Sequence, residues 1–261
     1  VRVRVDGEFP EQDDDVFINI SWLEQSVNTE ISEDTLKALG EYVDEQGNRI
    51  REPKKIWRVE IGCDVARFGD DKTGVGYRIN EVVRIYKKYN GHDTTWTSGT
   101  IAELFKIIRE RYHYRGPIPV KVDDGGVGGG VTDQLKSFIR TDPVLFSGMF
   151  VFPVNFGQPI KHKHYADTTT FMMGIVRDLI APYDAEGKDR DMPEVVLPND
   201  DDMIGQLSCR KVDYTSNGKQ KVESKKEMKE RGLPSPDEAD CILLVCLPVK
   251  LKKGENKSYG R

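Results

Sequence analysis

The chain has 261 residues, 37% hydrophobic and 32% charged, with a formal net charge of −5. That length can bury one large core or two small ones, and the charged share exceeds the usual quarter or so. The longest apolar run, residues 241–247, falls far short of the ~20 residues that span a bilayer, and no secretory leader pattern is expected at the start, so the composition excludes transmembrane, collagen-like, coiled-coil and wholly disordered classes.

Residues 1–50 hold thirteen acids and four bases, whereas the stretch from Met203 to Arg231 contains eight bases and is net positive. One acidic segment is thus set against one basic face, the footprint of a polyanionic partner. The four cysteines, Cys63, Cys209, Cys241 and Cys246, show no CxxC spacing and read as buried thiols of a reducing compartment.

Along the chain, residues 1–50 are weakly patterned and read as an acidic connector or leading arm, with one or two short helices between residues 21 and 39. From Ile56 a period of two sets in. Trp57, Val59, Ile61 and Cys63 fall on one face and Arg58, Glu60 and Asp64 on the other, which predicts a strand over 56–64. After a turn at 67–71, strands over 73–78 and 82–89 are close enough to complete an antiparallel meander. Ile101, Leu104, Phe105, Ile108 and Tyr112 have the helical spacing that predicts a helix over 95–113. A short strand at 118–122, a glycine-rich turn at 125–130, a helix at 131–139, a strand at 149–154 and a helix at 165–180 follow.

Residues 193–197 and 209–214 read as strands. Asn217-Gly218 predicts a two-residue type I′ hairpin turn, with 220–223 returning. The last helix is expected from Ser235 to before Pro248, opened by a capping box, Ser235-Pro236-Asp237-Glu238, with proline at the first helical position. A lysine-rich tail, 249–261, is expected to be disordered. This element order is that of an α/β domain over 51–248, with an antiparallel part and a parallel part.

Three acidic positions sit where packing does not favour them. Asp64 ends the first strand; taken alone it also fits a turn cap. In Asp123-Asp124 the alternation puts Val120, Val122 and Asp124 on one side and Lys121 and Asp123 on the other, so Asp123 continues the polar face as Asp64 does. The glycines after it have no Gly-Lys-Ser/Thr ending and form no nucleotide P-loop. Asp237 is explained as an acid in a helical first turn. Asp240 is not, because it stands among Ala239 and the apolar run 241–245, and a charge buried there needs partners or a metal.

Together these carboxylates can serve as an oxygen-only donor set for two hard cations, which can activate water and stabilise a leaving oxygen of a phosphodiester. His162 and His164 are two residues apart and read as surface side chains rather than a zinc pair. The basic hairpin, with Arg210, Lys211, Lys219, Lys221, Lys225 and Lys226, is either a solvated face or a set of contacts to a nucleic-acid backbone. Nothing suggests base-edge readout.

These residues resemble a known family, the C-terminal nuclease domain of the large terminase subunit of tailed bacteriophages. The segment IGCDVARFGDDKTGV is similar to its first strand and turn, and VKVDDGGVGGGVTDQL to its second motif, with the ligand on Asp123. VESKKEMKERGLPSPDEADCILL looks like its closing segment, carrying Asp237 and Asp240, and VRVRVDGEFPEQDDDVFI resembles the connector that follows its ATPase domain. The departure is KHKHYADTTTF, where many relatives carry a Tyr-x-Asn-x-Arg-Ala-Glu-like run.

The resemblance implies an RNase H-like fold, a mixed central sheet flanked by helices, with an added basic β-hairpin. It implies two Mg²⁺ or Mn²⁺ ions, with Asp64, Asp123 and Asp240, helped or replaced by Asp237, as catalytic ligands. It also implies cutting of concatemeric double-stranded DNA in the host cytoplasm, with an ATPase domain, a portal and a small terminase subunit as partners and no membrane. No Walker A run occurs in these residues, so the expectation is a nuclease portion that cuts without translocating. A Holliday-junction resolvase or other RNase H-like nuclease is the alternative enzyme; a non-catalytic docking module is the alternative outside enzymes.

Overall fold

The computed structural model describes residues 15–66, 71–184 and 186–251. Helices α1 (Ile20–Asn28) and α2 (Glu33–Leu39) lead into a small hairpin of β1 (Tyr42–Val43) and β2 (Arg49–Ile50) and a 3-10 turn at Pro53–Lys55. The main sheet is built from β3 (Val59–Asp64), β4 (Thr73–Ile79), β5 (Val82–Tyr89), β6 (Ile118–Asp123) and β7 (Met149–Val154), with α3 (Thr94–Arg111) and α4 (Gly128–Thr141) in the crossovers. Strand order is β5-β4-β3-β6-β7. The first three strands pair antiparallel, and β6 and β7 run parallel to β3. After β7 come α5 (Thr168–Ile180), α6 (Asp201–Ser208), a hairpin of β8 (Val212–Tyr214) and β9 (Gln220–Val222), α7 (Lys225–Glu230) and α8 (Asp237–Cys246).

This is the mixed sheet flanked by helices that the sequence predicts, and the alternation explains its layers. Val59, Ile61 and Cys63 of β3 and Ile118, Val120 and Val122 of β6 enter one core, with Ile101, Leu104, Phe105 and Ile108 of α3 and Val131 and Leu135 of α4. The opposite face is not open to solvent. Helix α8 covers it, and β3 is buried at all six positions.

Glycine makes that possible. A Cβ on Gly62 would lie 2.5 Å from the Val245 nitrogen, and one on Gly74 3.0 Å from Cys241 Cβ, so α8 lies directly on the strand backbones. Its far end is fastened by Lys121, which is fully buried, forms an ion pair with Glu60, and donates to the carbonyls of Val245 at 2.9 Å and Leu247 at 3.2 Å. A lysine thus satisfies carbonyls that a helix C-terminus leaves unpaired.

Several local expectations are corrected. Trp57 is 64% exposed and precedes the strand, which starts at Val59. The segment expected as a leading arm enters the domain from Asp15 onward: Phe17, Ile18 and Leu23 lie in the core around α5 and α8, and Ala38 and Leu39 in the other. Residues 193–197 make only a bridge from Val196 to Val82, and Cys209 caps α6, whose short length hid its period.

The helix predicted from 165 begins at Thr168, because Asp167 caps it by accepting from Thr170 N at 2.8 Å. Gly128, Gly129 and Gly130 belong to α4 rather than to the preceding turn. The hairpin loop is not type I′: Asn217 keeps a negative φ while Gly218 takes φ 74°. Gly218 N donates to Thr215 O at 2.8 Å and Thr215 N to Lys219 O at 2.9 Å, the three-residue loop with a left-handed glycine.

Helix α8 starts at Asp237 with no side-chain cap bond, because Glu238 turns to Gln206 instead. The capping box is found on α7, between Ser224 and Glu227. Residues 67–70 of the first turn and the tail from 252 lie outside the described residues. Among the described residues no helix is long and apolar enough to cross a membrane.

Candidate metal centre

The parallel register pairs Cys63 with Val122, so the next residues, Asp64 and Asp123, stand side by side at the carboxyl ends of β3 and β6. Beyond Asp123 the chain must turn at once into α4. Gly128 allows it, since a Cβ there would lie 1.6 Å from the Asp123 carbonyl oxygen. Asp123 accepts a hydrogen bond from Gly125 N at 2.9 Å, while Asp124 turns away and accepts from Thr132 Oγ1 at 2.8 Å. The alternation had placed these two acids on opposite sides.

Helix α8, seated on Gly62 and Gly74, brings its first turn to the same strand ends. Asp64, Asp71, Asp123, Asp237 and Lys225 line one cleft of about 260 Å³, together with Val65, Ala66 and Val127. Asp240, fully buried, joins them through Lys225. The Lys225 ammonium lies 3.0 Å from Asp240 Oδ2, 3.5 Å from Asp64 Oδ2 and 3.8 Å from Asp237 Oδ1. Asp237 Oδ2 also accepts from Lys72 N at 2.7 Å. Two strands and one helix, with more than a hundred residues between the first and last acid, therefore bring their acids together, and three of them, Asp64, Asp237 and Asp240, share one lysine.

The basic residues divide in a way that sequence did not anticipate. Arg210, expected on a DNA-facing surface, is 2% exposed; it lies 3.2 Å from Asp240 Oδ1 and its Nε donates to Glu223 O at 3.1 Å. Lys225 faces the carboxylates, and Lys211 pairs with Asp15 at 2.8 Å. Lys221 and Lys226 are exposed and Lys219 is half-buried. Sequence order counted all six as one basic hairpin; the tertiary contacts assign two of them to the acids. His162 and His164 form a local turn: His162 Nδ1 accepts from His164 N and Tyr165 N, both at 3.2 Å, with its ring stacked on Tyr165. All four cysteines are free, and Cys209 alone is half-buried rather than buried.

Electrostatics follow from burial. Desolvation raises the Asp64 carboxyl well above the usual range, opposed by Lys225 and reinforced by Asp240, Asp123 and Asp237. Burial also raises Asp123, against the Gly125 N–H, Lys225 and a hydrogen bond with Asp64, and it raises Asp237 against the Lys72 N–H. Burial works against the Lys225 ammonium, but Asp240 and Asp64 outweigh it and hold its pKa above the ordinary lysine value.

Among the described residues, Asp237 Oδ1 and Asp240 Oδ2 are buried without a hydrogen-bond partner, and the Lys225 ammonium lies 3.8 and 3.0 Å from them. Carboxylate oxygens in excess of cations are the donor chemistry that hard divalent ions prefer, so the residues fit such an ion. Their spacing is that of a lysine-held cluster: among the described residues no three His, Cys, Asp or Glu side chains are arranged to hold a metal as they stand.

No protein-family model matches the sequence, and no curated protein matches it significantly. Solved structures do match. The nuclease domain of the large terminase subunit gp2 of bacterial virus Sf6 is 18% identical, with a TM-score of 0.60, over 90% of this chain and 100% of that one. A K428A mutant of the same domain with manganese is 17% identical at a TM-score of 0.59, with the same coverage. The large terminase nuclease from thermophilic phage G20c is 15% identical over 73% of this chain and 83% of that one, at a TM-score of 0.45. The chain thus has the RNase H-like fold of a phage large terminase nuclease domain.

Proposed function

We propose that the chain is a metal-dependent endonuclease of a viral DNA-packaging terminase, hydrolysing phosphodiester bonds of double-stranded DNA with little sequence specificity. The observation that carries this reading is that Asp64, Asp123 and Asp237 line one cleft with Lys225, which also pairs with the buried Asp240. The likeness to the Sf6 nuclease domain, one structure of which holds manganese, supports the fold side of the argument.

Asp64 and Asp123 are the principal metal ligands in this reading, with Asp240 completing the set and Asp237 assisting. Two bound Mg²⁺ or Mn²⁺ ions would make a water nucleophilic at neutral pH and offset charge on the phosphate and leaving oxygen. The residues of the chain prepare for that. Arg210 orients Asp240 from inside the domain, 3.2 Å from its Oδ1. The Asp123 carboxylate is aimed by the Gly125 N–H, and Asp237 by the Lys72 N–H. The Lys225 ammonium offsets the charge of Asp64, Asp237 and Asp240, the role that divalent ions would share if bound there.

Lys219, Lys221 and Lys226 supply backbone electrostatics without base contacts, which is why cutting is sequence-tolerant. An ATPase domain, portal and small terminase subunit are the partners this function requires, acting on concatemeric DNA in the host cytoplasm. The nuclease domain in this reading runs from Asp15 to Pro248, because Phe17, Ile18, Leu23, Ala38 and Leu39 belong to its cores.

The test is plasmid cleavage in Mn²⁺ by Asp64→Ala and Asp123→Ala, with thermal unfolding as the fold control. Both variants are expected to lose cleavage while unfolding as a single folded domain; full activity in either removes the mechanism. Four-way junctions run alongside linear duplex should show no strong preference, since preferential junction cutting would point to a resolvase.

A further inference from the structure

A second cleft lies at the other end of the sheet. Asp64 and Asp123 end β3 and β6, whereas this cleft, of about 670 Å³, lies where β6 begins, between the 3-10 turn and residues 113–116. Six residues of strand extend roughly 20 Å, so no small ligand reaches both. The volume is in the range of small-molecule sites, roughly 300–1,000 Å³.

Its lining combines two chemistries. Ile56, which is buried, Pro53 and Tyr114 give an apolar and aromatic floor, and Arg51, Lys54 and Arg115 give a cationic rim beside His113. Arg51, Lys54 and Arg115 are exposed and have no hydrogen-bond or ion-pair partner among the described residues. The one acid of the lining, Glu52, is 3.4 Å from Lys55.

One wall is held rigid. The buried Arg109 donates to the carbonyls of Tyr114 at 2.7 Å, Gly116 at 2.8 Å and Ser147 at 2.7 Å, and the Tyr114 hydroxyl donates to Pro117 O at 3.3 Å. A fixed wall lowers the ordering cost of binding.

We infer that this cleft binds a nucleoside phosphate, its base against Ile56 and Tyr114 and its phosphate among Arg51, Lys54 and Arg115. Guanidinium groups match phosphate oxygens in paired hydrogen bonds, and a flat base is the apolar partner a tyrosine face accepts. An inorganic anion would leave the floor unused; an apolar ligand would leave three cations unpaired. The same chemistry comes from a free nucleotide or from the 5′-phosphorylated end of a DNA strand. This site is separate from the carboxylate cleft, and its occupancy does not depend on whether that cleft cleaves DNA.

The test is calorimetric titration of the full chain in EDTA, where divalent ions cannot draw phosphates to the carboxylates. The probes are AMP, an eight-residue oligonucleotide with and without a 5′-phosphate, and inorganic phosphate. Saturable binding of AMP, of the phosphorylated oligonucleotide or of both is expected, and which of them binds identifies the source. Inorganic phosphate and the unphosphorylated oligonucleotide should bind far more weakly. The Arg51→Ala/Lys54→Ala/Arg115→Ala variant, altered only at exposed side chains, should keep its thermal unfolding and lose roughly tenfold or more in affinity, as expected for lost charge-assisted bonds. Tyr114→Leu should weaken AMP but not phosphate. The inference is overturned if no nucleotide binds, if the triple variant binds as tightly, or if inorganic phosphate binds as well as AMP.

Discussion

Replacing Arg210 by methionine removes a buried cation from a fully buried carboxylate. The guanidinium lies 3.2 Å from Asp240 Oδ1, with the two residues 2% and 0% exposed. At an effective dielectric of 20 the Coulomb attraction at that distance is about 5 kcal/mol. Breaking such a pair by removing one partner costs roughly 3–5 kcal/mol, because the other charge is left buried. Lys225, 3.0 Å from the second Asp240 oxygen, remains and reduces the loss, so the expected destabilisation is about 3 kcal/mol. For a chain of this size that corresponds to a fall in Tm of roughly 6–12 °C.

Urea and thermal unfolding in EDTA measure it directly. Arg210→Met/Asp240→Leu replaces the pair by apolar groups and should recover most of the loss, since well-packed apolar substitutes for buried ion pairs are often neutral or better. A single-variant cost below about 1 kcal/mol, or a double variant no more stable than the single, would refute the assignment of Arg210 as the inner partner of Asp240.

Three further outcomes can be checked. Mn²⁺ at about a hundred times its dissociation constant should stabilise the native protein by roughly 2.7 kcal/mol, a thermal shift that EDTA reverses and that Asp64→Asn and Asp123→Asn diminish. Gly62→Ala, which puts a Cβ 2.5 Å from the Val245 nitrogen, should cost about 1–3 kcal/mol as an overpacked contact; unchanged stability would mean that α8 does not bear on β3.

The Tyr112 phenol is pushed up to about 12 by burial, whereas the unfolded chain ionises near pH 10. The folded state therefore holds this proton more tightly, and stability should be lost as pH rises from about 10 through 12. Denaturant titrations across that window should show a shallower loss in Tyr112→Phe.

The period of two was enough to put Asp64 and Asp123 on one face at two strand ends, because in a strand side-chain direction depends only on position parity. The same pattern misjudged what that face meets. Glu60 and Lys121 read as polar surface, yet both are buried and paired under α8. Nothing in β3 announces a helix more than 170 residues later, although Gly62, Gly74 and Gly76 are the trace it leaves. Helices α6 and α7, at eight and six residues, were too short to show a period.

Local sequence thus determined the meander, the long helices, the acids at the strand ends and the anomaly of Asp240 inside an apolar run, each a property of neighbours a few residues apart. Which cations meet those acids was decided only by tertiary structure. Arg210 and Lys225 belong to the same basic stretch as Lys221 and Lys226, but chain folding turns the first two inward, 30 and 15 residues before Asp240, and leaves the others outside. Charge composition is a sum over a segment, whereas an ion pair depends on the direction of single side chains, and that direction is set by the helix and strand that the folded chain places against them.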